Sequence, residues 1–315
     1  MNLSQLTVFR EVMKTGSMSE AAHNLGRSQP AISLSIKSLE EALGVALFER
    51  DTRNMKPVPE AFYLLAEADS VLGQMAQLQR TMKRMQVGDE GDMQLAVMPG
   101  VATVLFPEFL AHFAKSRPDV TLSLHTRSST QLRELVSSQG ADFGFGDYDE
   151  DHSRTLQTSI TKVSANSFLA LPAAHPLASL DVIPLDALEG LTLGAMQPDH
   201  RFEGRVQTAL AGNGVKTNVQ YRSQTVLPLL KFVSAELCCA IVDPLTVLSA
   251  KLIGFEQSEV VFRNLAQDIR YDYAILVPKL RPLSALSRHL AAEWEAKLLR
   301  ELIDLGSQPT RDVIN

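Results

Sequence analysis

The chain has little of what marks several large protein classes. No apolar run in its 315 residues approaches the roughly 20 that a membrane-spanning helix needs. The opening stretch, MNLSQLTVFREVMKTG, is amphipathic and carries both charge signs. It lacks the continuous apolar segment of a secretory signal, so the expected location is the cytoplasm. Cysteine is almost missing: the two present, Cys238 and Cys239, are neighbours. Adjacent cysteines rarely bridge each other and there is no CxxC spacing, which leaves buried reduced thiols or, as the sharper alternative, a redox sensor. An excess of positive charge is also missing. The net charge is −6, which does not advertise a nucleic-acid binder. Even in the first sixty residues Arg10, Lys14, Arg27, Lys37, Arg50, Arg53 and Lys56 are matched by Glu11, Glu20, Glu40, Glu41, Glu49, Asp51 and Glu60. There is no GxSxG nucleophile turn, GxxxxGK(S/T) phosphate loop, HExxH helix or dinucleotide fingerprint, and no internal repeat. His, Ser and Asp occur without the spacing of a triad. An enzyme is not expected, nor a metal site or bound cofactor.

What is present is ordinary in amount and specific in order. Hydrophobic residues make up 45% and charged residues 21%, normal for a globular protein, and the length suits two or three domains. Over residues 3–14, Leu3, Leu6, Phe9, Val12 and Met13 recur at helical spacing. After the break at Thr15-Gly16, Ser17-Met18-Ser19-Glu20 has the form of a capping box. It opens a short helix with Ala21, Ala22 and Leu25 on one face, ended by Gly26. Ser28 caps the next helix, with Gln29 and Pro30 in its first turn. Ile32, Ile36, Leu39 and Leu43 form its apolar stripe and Gly44 closes it. Two helices about a turn this short predict a helix-turn-helix.

A strand over 45–50, a turn at 51–54 and a return strand over 55–59 predict a basic wing. From Glu60 to about Gln86 runs a single helix with Phe62, Leu65, Leu72, Met75, Leu78, Met82 and Met85 along it. A lone helix has no core of its own, so the stripe is expected to pair with a second copy. Residues 88–92 form a polar hinge. Beyond it, candidate strands at 94–98, 120–125, 142–145, 167–171, 191–195, 218–221, 239–242 and 273–277 alternate with helices near 101–115, 129–138, 201–212, 224–235 and 284–304. This is an α/β pattern. The chain is expected to cross between two lobes near Lys162-Val163 and over 265–270, and to end in a polar tail from about 306.

The residues Phe9, Val12, Gly16-Ser17, Ala21-Ala22, Leu25, Ser28-Gln29-Pro30-Ala31-Ile32-Ser33, Ile36, Leu39-Glu40, Leu43-Gly44 and Leu47-Phe48-Glu49-Arg50 form a dense ordered signature. It resembles that of the LysR-type transcriptional regulators. The likeness continues through the long helix and the α/β region, including Ala174-His175-Pro176-Leu177-Ala178. Two stretches, Pro57-Val58-Pro59-Glu60-Ala61 and Ala240-Ile241-Val242-Asp243-Pro244-Leu245-Thr246, resemble the branch of opine-responsive and lysine-biosynthesis regulators, which respond to amino acids or their conjugates. The resemblance implies an α plus α/β chain. It has a winged helix-turn-helix over 1–59, a dimerising linker helix over 60–88, and a two-lobed effector domain like that of periplasmic binding proteins. Lobe I spans 92–163 and 268–305, and lobe II spans 164–267. It implies double-stranded DNA, further copies in a dimer of dimers, RNA polymerase and a small-molecule co-inducer as partners, with no membrane. A transport-type solute-binding protein would share the α/β half, but not the helix-turn-helix. One departure is Leu34, where the family usually places a basic or large polar residue. Either a phosphate or base contact is missing there, or Leu34 meets a thymine methyl.

Short polar side chains at the start of a recognition helix reach base edges, which nominates Ser28, Gln29, Pro30, Ser33 and Lys37. Gln29 can pair with adenine and Pro30 can touch a thymine methyl. Arg27 in the turn, and Arg50, Arg53 and Lys56 on the wing, suit phosphate or minor-groove contact. Arg50 can pair instead with Glu49 or Asp51, and Ser28 is a cap in any case. In two-lobed α/β domains ligands sit beyond the carboxyl ends of strands. That nominates Pro99, Gly100 and Val101 after the first strand and Ser128, Ser129 and Thr130 after the second. From the facing lobe come Arg201, Gln224 and Thr225. Asp147 and Asp243 stand at strand ends, where an aspartate either takes a ligand ammonium or caps a helix. His152 and His200 are expected to be solvated.

Overall fold

The computed structural model describes residues 1–50, 55–87, 92–150, 157–255, 259–279 and 283–314, with the backbone alone at 50, 55, 77 and 80–87. It divides into two compact units, Met1–Val87 and Gly88–Asn315.

Helix starts organise the first unit. Asn2 accepts the Gln5 N–H at 2.9 Å while the Gln5 side chain accepts the Asn2 N–H at 2.8 Å, opening α1 (Leu3–Thr15). At α2 (Met18–Asn24) the box is half formed. Ser17 accepts the Glu20 N–H at 3.3 Å, but its own N–H is taken by Thr15 Oγ1 at 3.3 Å. Glu20 therefore has no orphan donor to reach back for. Gly26 supplies the turn at φ +62°, a conformation cheap for glycine. α3 (Gln29–Leu43) follows, and here the expected cap is corrected: Ser28 holds the N-cap position without a side-chain cap bond. Pro30 has no N–H to offer, and the Ala31 N–H is bonded to the Ser28 carbonyl at 3.0 Å.

Leu6, Phe9, Val12, Ala21, Ala22, Ile32, Ile36 and Leu39 form the core of this unit with Leu47 and Phe48. The wing strands β1 (Phe48–Arg50) and β2 (Met55–Pro57) pair antiparallel. Glu40 on α3 anchors their start, its Oε1 accepting the N–H groups of Leu47 at 2.8 Å and Phe48 at 3.3 Å. α4 (Pro59–Val87) departs from the sequence expectation in its first half. Ala61 and Ala68 are buried, and Leu64, Leu65 and Leu72 pack on the core, so the helix does have something to sit on. Phe62, Val71, Met75 and Leu78 stay exposed. The side chains of Met82 and Met85 lie outside the described residues.

The second unit holds two six-stranded sheets. The chain runs β3 (Asp92–Val97), α5 (Pro99–Ala102), α6 (Leu105–Lys115), β4 (Thr121–Thr126), α7 (Ser129–Ser137), β5 (Phe143–Asp147) and β6 (Thr158–Asn166). It continues through β7 (Phe168–Pro172), β8 (Val182–Ile183), β9 (Thr192–Met196), α8 (Arg201–Gly212), β10 (Asn218–Ser223), α9 (Leu229–Ser234), β11 (Cys239–Val242), α10 (Pro244–Leu252) and β12 (Val260–Leu265). It closes with β13 (Arg270–Pro278), α11 (Ala285–Asp304) and β14 (Thr310–Ile314). Lobe I has strand order β14-β6-β13-β5-β3-β4 and lobe II β10-β9-β11-β7-β12-β8.

Three differences from the sequence expectation stand out. Lys162 and Val163 lie inside β6, paired to Ala274 and Tyr273, so the first crossing falls at Ser167, whose N–H bonds Ile269 O on the returning crossing at 2.9 Å. The segment after 306 includes β14, an edge strand antiparallel to β6. Its alternation of polar and apolar residues is short, and pairing with β6 decides its conformation. The stretch over 101–115 divides into α5 and α6. Trp294 of α11, 1% exposed, packs edge-on against Phe106 and Phe145 in the lobe I core. Cys238 and Cys239 are buried, and burial with the neighbouring thiol pushes Cys239 up to about 12. A thiol kept protonated lacks the reactivity a redox sensor needs.

Candidate functional site

The exposed face of α3 lies opposite Ile32, Ile36 and Leu39. Gln29, Pro30 and Lys37 are exposed on it and Ser33 is half-buried. Lys37 reaches Glu41 at 3.8 Å, with both side chains largely in solvent, a pair that is worth little and can be exchanged for another anion. Arg27 in the turn donates to Ser4 Oγ at 3.1 Å. Lys56 is exposed on β2, opposite Glu49. The side chain of Arg50 and all of Arg53 lie outside the described residues.

In the second unit a cleft of about 570 Å³ lies between the lobes. It sits beyond the carboxyl ends of the parallel strands β3, β4 and β5 in lobe I and β9, β10 and β11 in lobe II, as strand polarity dictates for such sheets. From lobe I it is lined by Pro99, Gly100, Val101, Ser128, Ser129, Thr130 and Asp147, and from lobe II by Arg201, Gln224, Thr225 and Asp243. The folded chain thus brings all the nominated cleft residues together. It adds Arg133, Asp149, His200 and Tyr271.

The sequence Phe143-Gly144-Phe145-Gly146-Asp147 explains how α7 is placed. Phe143 and Phe145 point into the core of lobe I. The glycines that alternate with them face α7 so closely that a Cβ at Gly144 would stand 2.8 Å from Leu132 and Val136, and one at Gly146 3.1 Å from Ser129 Oγ. The close approach puts Ser129 against Asp147. Its hydroxyl donates to Asp147 Oδ2 at 2.6 Å and accepts the Asp147 N–H at 3.0 Å. Tyr271 Oη–H donates to the other carboxylate oxygen. His200 is not simply solvated: it is the N-cap of α8, its Nδ1 accepting the Phe202 N–H at 3.2 Å. That bond leaves the ring proton on Nε2, which faces Asp147 Oδ2 at 3.5 Å. His152 lies outside the described residues.

Burial pulls the Asp147 carboxyl upward, but the hydrogen bond from His200, with those from Ser129 and Tyr271, outweighs it and holds Asp147 below the usual carboxylate range. Burial, and then the carboxylates of Asp147 and Asp243, push the Tyr271 phenol well up, so it stays a donor. Asp243 takes the capping role. Its carboxylate accepts Leu245 N–H at 3.0 Å, Thr246 N–H at 3.2 Å, Tyr273 Oη–H at 2.8 Å and the Thr246 hydroxyl. Those donors fill most of its acceptor capacity. Burial raises its pKa despite them.

Asp149 sits between two guanidiniums, Arg133 at 3.2 Å and Arg201 at 2.5 Å. Arg133 comes from α7 in lobe I and Arg201 from the start of α8 in lobe II, so this group ties one lobe to the other. One helix turn further on, Arg205 reaches Asp272 of lobe I at 2.6 Å. Around the cleft are therefore an ionised carboxylate, the guanidiniums of Arg133 and Arg201 on Asp149, and the first turn of α7, where Ser128 caps the Gln131 N–H. Arg133 was open to sequence reasoning, because it follows Ser129 by four residues and shares its helix face. Nothing local marks Tyr271, which lies 124 residues from Asp147 in the chain.

Among the described residues no helix is long and apolar enough to cross a membrane. Residues 3–61 match the bacterial regulatory helix-turn-helix protein, lysR family, and residues 86–298 match the LysR substrate binding domain. The regulatory protein NocR of Agrobacterium tumefaciens (strain T37) is 30% identical over 305 residues, 95% of this chain and 96% of its own length. The octopine catabolism/uptake operon regulatory protein OccR of Rhizobium meliloti is 32% identical over 255 residues, 80% of this chain and 82% of its own. Full-length CbnR in complex with its target DNA shares the fold, with a TM-score of 0.70 at 20% identity over 93% of this chain and 99% of that one. With both halves of the chain matched, each on the unit whose geometry suits it, the protein belongs to the LysR family of DNA-binding transcriptional regulators with an effector-binding domain.

Proposed function

We propose that this regulator works in the cytoplasm as a dimer of dimers. In this reading its effector is an amino acid or amino-acid derivative held between the lobes, and its target is a partly symmetric promoter site where it acts on RNA polymerase. Gln29, Pro30, Ser33 and Lys37 read bases, with Ser28 beside them. Arg27, Arg50, Arg53 and Lys56 hold the backbone. The exposed apolar residues of α4 pair with those of a second copy. Effector binding shifts the lobes, and with them the spacing and bend of the bound DNA. The shift is limited to the difference in the ligand's affinity for the two states.

The observation that carries the effector class is the presence of both charge signs in one cleft. Asp147 is held ionised, a partner for an ammonium or guanidinium. Arg133, Arg201 and the N–H groups of Ser129 and Thr130 in the first turn of α7 suit a carboxylate. A ligand carrying both charges satisfies both sets, whereas a plain aromatic acid leaves Asp147 without a cation. The name of OccR, a regulator of octopine catabolism and uptake, points the same way, octopine being an amino-acid conjugate.

Thermal melting of the purified chain against amino acids, their conjugates, aromatic acids and dicarboxylates tests this reading. At 100 times its dissociation constant a ligand stabilises the folded state by about 2.7 kcal/mol, a rise on the order of 5–10 °C. The rise is expected for one amino-acid class and is expected to vanish in Ser129→Ala. No rise with any amino-acid compound removes that class. On the DNA side, Lys56→Ala is expected to weaken binding to all sequences alike and to lower the slope of log K against log salt by about 0.9. Anisotropy titrations at several salt concentrations measure it, and an unchanged slope takes Lys56 out of the interface.

A further inference from the structure

Leucine is out of place on the outer face of α3. The core side of this helix is complete without it, with Ile32 at 0%, Ile36 at 2% and Leu39 at 0% exposure. Leu34 stands two residues from both Ile32 and Ile36, which puts it on the far side, and 68% of it is open to solvent. Among the exposed side chains of α3 it alone is large and apolar. Around it on that face are Pro30, Ser33, Lys37 and Glu41. An isobutyl group with only the Pro30 ring as an apolar neighbour, among Ser33, Lys37 and Glu41, is a poor seat for a protein surface, which would need a wider apolar patch. It is a good one for a surface that is polar except at single points.

The major groove is such a surface. Base edges there present donors and acceptors, and the 5-methyl group of thymine is the apolar exception. α3 is the second helix of a helix-turn-helix, whose N-terminal residues meet base edges. Leu34 is the sixth residue of α3, roughly 8 Å along the axis from its start, within the part that lies in the groove. We infer that Leu34 reads a thymine methyl, making it a specificity-determining residue of this regulator. It selects in two ways. Against thymine it buries a methyl group. Against guanine or cytosine it strips water from a donor or acceptor and offers nothing in return. The inference rests on α3 being the helix that reads DNA.

The test uses the full chain and an operator selected from a randomised DNA pool. Each thymine of a half-site is replaced in turn by deoxyuridine, which keeps the base pair and loses the methyl. With the natural chain, one thymine per half-site is expected to show about a threefold to fivefold loss of affinity on replacement, the worth of one buried methyl. With Leu34→Ala that loss is expected to disappear, and the variant is expected to bind the thymine operator more weakly by the same factor. Its melting midpoint is expected to match that of the natural chain. Equal losses in the two proteins at every thymine overturn the inference, as does a lowered midpoint, which would mean that Leu34 is packed in the fold. Failure of Gln29→Ala and Lys37→Ala to weaken operator binding would remove α3 as the reading helix. Weakening by both with silence of Leu34→Ala would overturn the thymine contact alone.

Discussion

Asp147→Ala is expected to lower the stability of the effector unit by about 3–5 kcal/mol and to abolish effector binding in the thermal assay. The reason is the number of donors aimed at one carboxylate. Ser129 Oγ–H and Tyr271 Oη–H bond it directly and His200 Nε2–H faces it. The buried Tyr271 donor left without an acceptor costs about 1–3 kcal/mol, the half-buried Ser129 and His200 donors add less each, and loss of one member of a buried charged group falls in the same total range. The melting midpoint should fall by on the order of 10 °C. Asp147→Asn separates the two effects. An amide oxygen still accepts from one or two of the donors and recovers part of the stability, but offers no charge to a ligand cation. The pH dependence follows from the direction of the shift. Asp147 is held below the ordinary aspartate value, so its stabilisation is complete above about pH 4. It is lost only as pH falls through the lower folded value. The difference between the natural chain and Asp147→Ala is therefore expected to shrink as pH falls below about 4. A difference that goes on growing below that pH would contradict this account of the site.

The second large effect is expected on DNA. Val71, Met75 and Leu78 follow one another at helical spacing along α4, and all are exposed. Replacing both Met75 and Leu78 by Glu places four charges in the pairing seam of a proposed dimer and leaves the buried residues of the helix, Ala61 and Ala68, untouched. Two reading heads held together engage a two-half-site operator with an affinity that exceeds that of one head by roughly 100-fold or more. The double variant is expected to lose that factor on the full operator, to keep its affinity for an isolated half-site, and to sediment as a smaller species. If it retains the mass and full-site affinity of the natural chain, α4 is not the element that joins the heads.

Much of the first unit was legible in the sequence because its signals are local. A helix stripe such as Ile32, Ile36 and Leu39, a turn glycine such as Gly26 and a start at Gln29-Pro30 act within a few residues of one another. The helices they define appear where the spacing put them. Ser28 looked like a cap, but a cap needs a donor two or three residues on, and Pro30 and the Ala31–Ser28 backbone bond leave none. The stripe of α4 looked uniform, yet packing on the core divides it between Leu65 and Leu72 on one side and Phe62, Met75 and Leu78 on the other.

In the second unit the sequence by itself determined part of the alternation of strands and helices, without β6, β8, β12 and α10, and, through strand polarity, the turns that face the cleft. Pro99, Ser129 and Gln224 follow strands and Asp147 ends one, and the carboxyl ends of parallel strands open on the same side. Only the tertiary structure decided which charges meet. Tyr271 reaches Asp147 because β13 lies beside β5. Asp149 joins Arg133 to Arg201 because α8 of one lobe meets the edge of the other, and β14 is a strand because β6 offers it an edge. Asp243 became a cap because Tyr273, Leu245 and Thr246 converge on it. Periodicity and turn chemistry act over a few residues and can be read along the chain. Ion pairs, caps shared between elements and strand neighbours depend on distances that exist only once the sheets have closed.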